Sequence, residues 1–123
     1  MREITTHKVN CLNEAIKIVT NDAPDYGGAC HAYCQQIMSS SGIELSRQLV
    51  LFHNGPIDEC GPNGVSNESL LAIVLDRLEC FQTGKFACEE NRLALRHIES
   101  AMLALRSRTE KRMARGVEGT HAV

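Results

Sequence analysis

Two stretches of the chain repeat apolar residues every three or four positions, which is the period of an α-helix. They cover residues 66–81 and 88–112 and are joined by a turn, residues 82–87, that contains a glycine. The repeating positions are Leu71, Val74, Leu78 and Phe81 in the first stretch, and Leu95, Ile98, Met102 and Leu105 in the second. The pattern predicts a helical hairpin in which these positions form the two facing seams.

The apolar stripe of the second predicted helix changes character near its end. The next positions on it are Arg108 and Arg112, which are four residues apart and therefore on one side of a helix. Residues 106–115 hold five cations and one acid, and cations at a helix C-terminus also interact favourably with its dipole. A solvated helix end explains part of this charge, but two arginines on an apolar stripe indicate an anionic partner.

Residues 1–60 show a different pattern, in which short β-rich runs alternate with turn formers. The predicted strands cover residues 3–9, 15–20, 29–37 and 47–53, with turns at 10–13 and 21–28 and a loop at 39–42. These connections are too short for crossover helices, so the strands are expected to form an antiparallel meander. The predicted class is α+β: a small N-terminal antiparallel β-sheet followed by a C-terminal antiparallel helical hairpin.

We predict a single domain over residues 1–123, with a sheet part at 1–60, the hairpin at 61–115 and a glycine-rich tail at 116–123. Within it, residues 57–65 form an ordered linker, and Ser66 or Asn67 caps the first helix. A net charge of −2 gives no broad basic field for DNA or membranes. We expect neither an export signal nor a membrane span, and we expect the six irregularly spaced cysteines to be reduced thiols.

The sequence contains no motif that is typical of an enzyme active site. The chain has no GxSxG, Walker, HExxH or GxGxxG pattern, and its five histidines are scattered. Cys30, Cys34 and His31 are a weak metal set because no second pair has zinc-like spacing. We therefore predict no catalytic residues, no cofactor and no metal.

Residues near the two ends of the hairpin favour a nucleotide-like ligand. Phe81 offers an aromatic face to a nucleobase, and Asn91 offers an amide to a base or ribose edge. Arg108 and Arg112 offer planar forks to phosphates. Taken alone, Phe81 is better explained as core and Asn91 as a solvated helix start. Asn91 and Arg108 are separated by roughly 25 Å along a helix, so one small ligand could use all four residues only if the arginines came from an antiparallel partner chain.

The segment from Tyr26 to His31 is a second candidate. Gly27 and Gly28 leave backbone N–H groups accessible, and such groups can form an anion-binding nest. A tight turn between strands explains the same two glycines and is the better interpretation of the residues alone.

The ordered set of short motifs resembles the phage Thoeris anti-defence sponges, whose hairpin is shared with anti-CBASS cyclic-nucleotide sponges. The motifs that carry the resemblance are NGPI, NGVSNESLLAIV, FQTGKFAC and RGVEGTH, together with the N-terminal runs ITTHKVN and IKIVTNDAPDYGGACHAY. The resemblance implies a protein that binds glycocyclic ADP-ribose without cleaving it, in the cytoplasm of the infected bacterium. It also implies a homohexamer built from dimers.

The resemblance assigns the signal pocket to Phe81, Asn91, Arg108 and Arg112. It assigns a separate site for cyclic di- or trinucleotides to Gly27, Gly28, Ala29 and His31. Two alternatives remain open: an oligomeric interaction module that binds no nucleotide, and a slow cyclic-nucleotide hydrolase. The preferred isomer of the signal is not fixed by these residues.

Overall fold

A four-stranded antiparallel sheet forms the first part of the chain in the computed structural model, which describes residues 1–123. Its strands are β1 (Glu3–Ile4), β2 (Ile16–Thr20), β3 (Ala32–Met38) and β4 (Glu44–Leu51). They are ordered β1-β2-β3-β4, so each strand pairs with the next along the chain and the predicted meander is confirmed.

The strand ends differ from the prediction where local hydrogen bonding favours a turn. The predicted first strand stops at Ile4, and the predicted turn at 10–13 is a one-turn helix, α1 (Cys11–Glu14), capped by Asn10 through a 2.9 Å bond from the Asn13 N–H. The predicted third strand starts three residues late, at Ala32, because residues 26–28 form a 3₁₀ turn with positive φ at Gly27 and Gly28.

The most buried side chains of the first part are Thr20 in β2, Cys34 in β3 and Cys30, which lies just before β3. Tyr33 and Phe52 pack edge to face with ring centroids 5.6 Å apart. Phe52 also pairs with Val65 in an isolated parallel bridge. The close approach of the two backbone segments at this bridge requires a glycine at position 64. A Cβ on Gly64 would lie 2.4 Å from the Phe52 carbonyl carbon.

Three helices follow the sheet: α2 (Ile57–Cys60), α3 (Asn67–Gln82) and α4 (Glu89–Ala114). The short α2 lies inside the predicted linker. Helix α3 begins where expected, because Ser66 and Ser69 form a reciprocal cap. The Ser66 hydroxyl accepts from the Ser69 N–H, and the Ser69 hydroxyl accepts from the Ser66 N–H. Helices α3 and α4 pack against each other and form the predicted hairpin.

The seam of the hairpin is shifted slightly from the predicted one. On α3, Leu71, Leu75 and Leu78 are half-buried, whereas Val74 is 44% exposed. On α4 all four predicted seam residues are half-buried, and the stripe continues through Thr109 to Arg112. Arg108 is exposed, so the prediction that both arginines lie on the stripe was wrong for Arg108. The period of 3.6 residues places 105, 109 and 112 in line.

The chain divides into two compact units, one made of Met1–Gly55 with Pro62–Val65 and the other of Pro56–Gly61 with Ser66–Val123. None of the six cysteines forms a disulfide, and no group of three or more His, Cys, Asp or Glu side chains is arranged to hold a metal ion. No helix combines the length and apolar character needed to cross a bilayer.

Candidate functional site

The turn of the hairpin is held by side chains that also fix Phe81 and Asn91. The Gln82 side chain donates to the Cys88 carbonyl and accepts from the Cys88 N–H, both at 3.1 Å. The Cys88 thiol then caps α4 by accepting from the Asn91 N–H at 3.4 Å. These contacts join the last turn of α3 to the first turn of α4, so the turn is a defined structure.

Phe81 lies at this turn with 40% of its surface exposed. The guanidinium of Arg77, one helical turn earlier, lies 5.6 Å from the ring centroid in a cation–π contact. Asn91 is half-buried, and its side-chain amide has no hydrogen-bond partner within the chain. The predicted aromatic and amide groups are thus both available near the same turn.

The opposite end of α4 carries a basic groove, which we define by Ala104, Ser107, Arg108, Lys111, Arg112, Arg115 and Val123. Its cavity measures about 370 Å³. Arg108, Lys111 and Arg115 are exposed and make no ion pair with a side-chain carboxylate, and Arg115 donates to the main-chain oxygen of Val123 at 2.8 Å. The spacing of three and four residues places these cations on one side of α4. The groove therefore concentrates positive charge beside the small side chains of Ala104 and Ser107.

Arg112 has a different environment from the other cations of the groove. Only 8% of it is exposed, and it is the one buried charged residue of the chain. Its guanidinium donates to the carbonyls of Val117 (2.9 Å), Thr120 (3.3 Å) and Ala122. Its Nε lies 3.3 Å from the Glu118 carboxylate. Within the single chain, therefore, the Arg112 guanidinium is already hydrogen-bonded to residues that follow α4.

The tail, residues 116–123, is folded back by the end of α4. Gly116 has φ of 71°, and the N–H groups of Gly116 and Val117 bond to the carbonyls of Met113 and Arg112, which is the Schellman pattern. The Gly119 carbonyl then accepts from the Asp58 N–H at 3.1 Å, and His121 contacts Glu59 at 3.1 Å. The prediction that the tail leaves the helix is correct, and the structure adds that the tail is ordered against α2.

The four residues predicted for the signal pocket do not meet in one chain. Phe81 and Asn91 lie at the turn, while Arg108 and Arg112 lie near the far end of the uninterrupted α4. The separation of Asn91 and Arg108 is roughly 25 Å at the rise of an α-helix. In this structure, one small ligand could therefore contact all four residues only if the two arginines came from a second chain.

The glycine segment shows fewer free amides than the sequence indicated. Gly28 donates its N–H to Asp25, and the His31 N–H and ring are bonded to Asp22 and to the Tyr26 carbonyl. The pKa of Asp22 is below its ordinary value, chiefly because the His31 N–H donates to it, with Ala32 adding a second bond. A Cβ at Gly27 or Gly28 would meet no atom within 4 Å, so the glycine surface itself is open.

Comparison with known proteins places the hairpin in a family. The family model described as "Acb2/Tad1, hairpin domain" matches residues 46–110, which is a little over half of the 123-residue chain. The chain belongs to the Acb2/Tad1 hairpin family. The resemblance inferred from the motifs is thereby confirmed. The matched residues include most of β4, all of α3 and the greater part of α4.

A curated relative is named Thoeris anti-defense 1, from Bacillus phage SBSphiJ7. It is 50% identical to the chain over 72 residues, which are 58% of this chain and 51% of the relative. The chain thus spans about half the length of that relative. Phe81, Asn91 and Arg108 lie within the Acb2/Tad1 hairpin match, whereas Arg112 and the tail lie beyond its last residue.

Sequence reasoning missed several residues of this Acb2/Tad1 hairpin. Lys111 and Arg115 line the basic groove, and their spacing from Arg108 was a usable signal that the apolar-stripe argument passed over. The Gln82 side chain bonds to the Cys88 backbone across the turn, and no pattern in the neighbouring residues predicts that contact. The sequence does not predict that the Arg112 guanidinium is bonded within its own chain, because its carbonyl partners follow a chain reversal that residue spacing alone does not reveal.

Proposed function

We propose that this protein is a phage anti-defence protein that binds a cyclic ADP-ribose signal, glycocyclic ADP-ribose, and withholds it from its effector. The observation that carries the proposal is the Acb2/Tad1 hairpin, in which a partly exposed aromatic ring and an unpaired amide lie at one end and a basic groove at the other. The name of the Bacillus phage relative supports assigning the activity to Thoeris immunity.

The ligand chemistry matches these groups one by one. An adenine face stacks on an exposed aromatic ring such as Phe81, with about 1–3 kcal/mol per base. Asn91 supplies donors and an acceptor for a ribose or base edge. The two phosphates carry negative charge that the basic groove complements through charge-assisted bonds of about 1.5–3 kcal/mol each.

One ligand can reach both ends of the hairpin only in an assembly. A two-fold axis with antiparallel α4 helices brings the turn of one chain beside the basic groove of its partner and creates two equal pockets. We propose such dimers, and hexamers made of three of them, in the cytoplasm of the infected bacterium. The free amide of Asn91 supports this arrangement, since a half-buried amide favours a bonding partner.

A second site for cyclic di- or trinucleotides is proposed at Gly27, Gly28, Ala29 and His31. Its support is the open surface at both glycines. The Asp22 carboxylate limits the anion-binding capacity of this site, because the His31 N–H already donates to it. Through this site the protein would also withhold signals of CBASS immunity.

Sequestration is separated from hydrolysis by recovering the ligand. Protein saturated with glycocyclic ADP-ribose is denatured by heat, and the released nucleotide is identified by mass spectrometry. Intact ligand in stoichiometric yield is the expected result, while steady conversion to a linear product would establish the slow hydrolase. If no nucleotide is retained before denaturation, the interaction module is the correct reading.

A further inference from the structure

One side chain connects the two helices of the hairpin by hydrogen bonds. The Gln82 amide donates through Nε2 to the Cys88 carbonyl and accepts through Oε1 from the Cys88 N–H, both at 3.1 Å. No other hydrogen bond or ion pair joins α3 to α4. These two bonds therefore tie the last residue of α3 directly to the N-cap of α4.

All the polar groups of Cys88 are engaged at this point. Besides the two bonds to Gln82, its carbonyl accepts the Arg92 N–H at 3.1 Å, which begins the hydrogen bonding of α4. Its thiol accepts the Asn91 N–H at 3.4 Å. The first N–H groups of a helix have no partner within the helix, and uncapped helix ends fray. Gln82 thus holds the residue that caps the turn in which Asn91 lies.

The packing between α3 and α4 leaves their register to be fixed by another contact. Neither helix buries an apolar side chain completely, and the seam residues are only half-buried. A single polar contact can specify the register of two helices that apolar packing alone defines loosely. Because Phe81 precedes Gln82 and Asn91 lies in the first turn after Cys88, the Gln82–Cys88 bonds relate the positions of these two side chains.

We infer that Gln82 is a positioning residue, which sets the register of the hairpin turn and holds the Asn91 amide in a fixed place relative to the Phe81 ring. The inference rests on the proposed function, in which both of these side chains contact the nucleotide. Gln82 itself does not contact the ligand, because both polar atoms of its amide are bonded to Cys88. An amide on an ordered turn loses less freedom on binding than one on a frayed turn, so Gln82 contributes affinity indirectly.

Gln82→Met removes both bonds and keeps an unbranched side chain that favours helix. With the parental oligomeric state confirmed, it should weaken binding of glycocyclic ADP-ribose about tenfold by calorimetry. In an Asn91→Ala background it should weaken binding no further, because the side chain that it positions is absent. In an Arg108→Gln background it should again weaken binding about tenfold, since Arg108 lies near the other end of α4. A general loss of stability would act alike in both backgrounds.

Two exposed cysteines near the turn provide matched variants. Cys88→Ala removes the thiol that caps α4 and should weaken binding about threefold. Cys88→Ser should recover most of that loss, because a hydroxyl also caps a helix. Cys80→Ala is the control and should bind like the parent, since only the Cys80 carbonyl takes part in hydrogen bonds. These variants keep the inference testable if Gln82→Met does not fold.

Hydrogen exchange without ligand gives an independent readout. The Cys88 and Asn91 amides should exchange faster in Gln82→Met and at the parental rate in Cys80→Ala. Parental exchange of both amides in Gln82→Met overturns the inference. Parental affinity of Gln82→Met, or a full tenfold loss in the Asn91→Ala background, also overturns it and leaves the proposed site intact. If Asn91→Ala and Phe81→Ala both bind like the parent, the proposed site is wrong and the inference fails with it.

Discussion

Two aromatic side chains near the hairpin turn are candidates for stacking on a nucleobase. Phe81 and Phe86 are both exposed aromatics with a cation over the ring, Arg77 at 5.6 Å and Lys85 at 5.5 Å. They differ in their setting, because Phe81 lies in the last turn of α3 whereas Phe86 lies in the connection between α3 and α4. A ring on a fixed support loses less freedom on binding, so Phe81 is the better stacking platform.

Phe81→Ala should weaken binding of glycocyclic ADP-ribose about ten- to hundredfold, because the adenine loses its stacking surface. Phe86→Ala is the matched control and should bind like the parent. Titration calorimetry on both variants, after their oligomeric state has been checked, gives the comparison. Equal affinities for parent and Phe81→Ala would remove Phe81 from the pocket.

Asp22 gives the sheet unit a defined dependence on pH. Its folded-state pKa is depressed, first by the bond from His31, so its stabilising contribution is complete above the ordinary carboxyl pKa and is lost as pH falls through the folded value. Asp22→Asn should therefore lower the melting temperature at pH 7, and the difference from the parent should shrink in acid. Asp76→Asn, at an exposed position within α3, is the control. A difference that stays constant down to pH 2 would contradict the assignment.

At the scale of elements, repeating patterns of residues predicted the fold more completely than single residues predicted the candidate site. The hairpin, the meander and the start of α3 followed from period and capping, since each is set by many residues at once. The strand starts and the neighbours of Arg112 depended on single long-range or turn-forming bonds, such as those of Asp22. A pattern averaged over a window does not contain such bonds, which is why the site was predicted less completely than the fold.

Gly28→Asp tests the glycine segment as an element. It places a carboxylate on an open surface where φ is 80°, and it should abolish binding of cyclic di- or trinucleotides while glycocyclic ADP-ribose binds unchanged. Gly42→Asp is a close control, because Gly42 has φ of 85° and equally open space in the β3–β4 turn. Calorimetry with both nucleotide classes measures the outcome. Loss of both classes in a folded variant would indicate one site in place of two.

At the scale of the whole molecule, the length of α4 connects fold and function. A helix of 26 residues separates the turn from the basic groove by several turns, so within one chain the aromatic end and the cationic end cannot close on one nucleotide. The hairpin also leaves Ile73, Val74, Leu93 and Leu103 exposed. Exposed apolar side chains on a helical pair favour association, and an antiparallel partner would supply the other half of each proposed pocket.

The assembly itself is the last prediction. Light scattering at micromolar concentration should give the mass of a dimer or a multiple of it, because the exposed apolar residues favour association and the proposed pocket needs a second chain. Val74→Asp, which places a charge on the 44% exposed apolar position of α3, should shift the protein toward monomer and weaken glycocyclic ADP-ribose binding in parallel. Glu79→Asp, a conservative change at an exposed position of the same helix, should alter neither. A monomeric parent that still binds the nucleotide at full affinity would show that one chain suffices, and the shared pocket would be wrong.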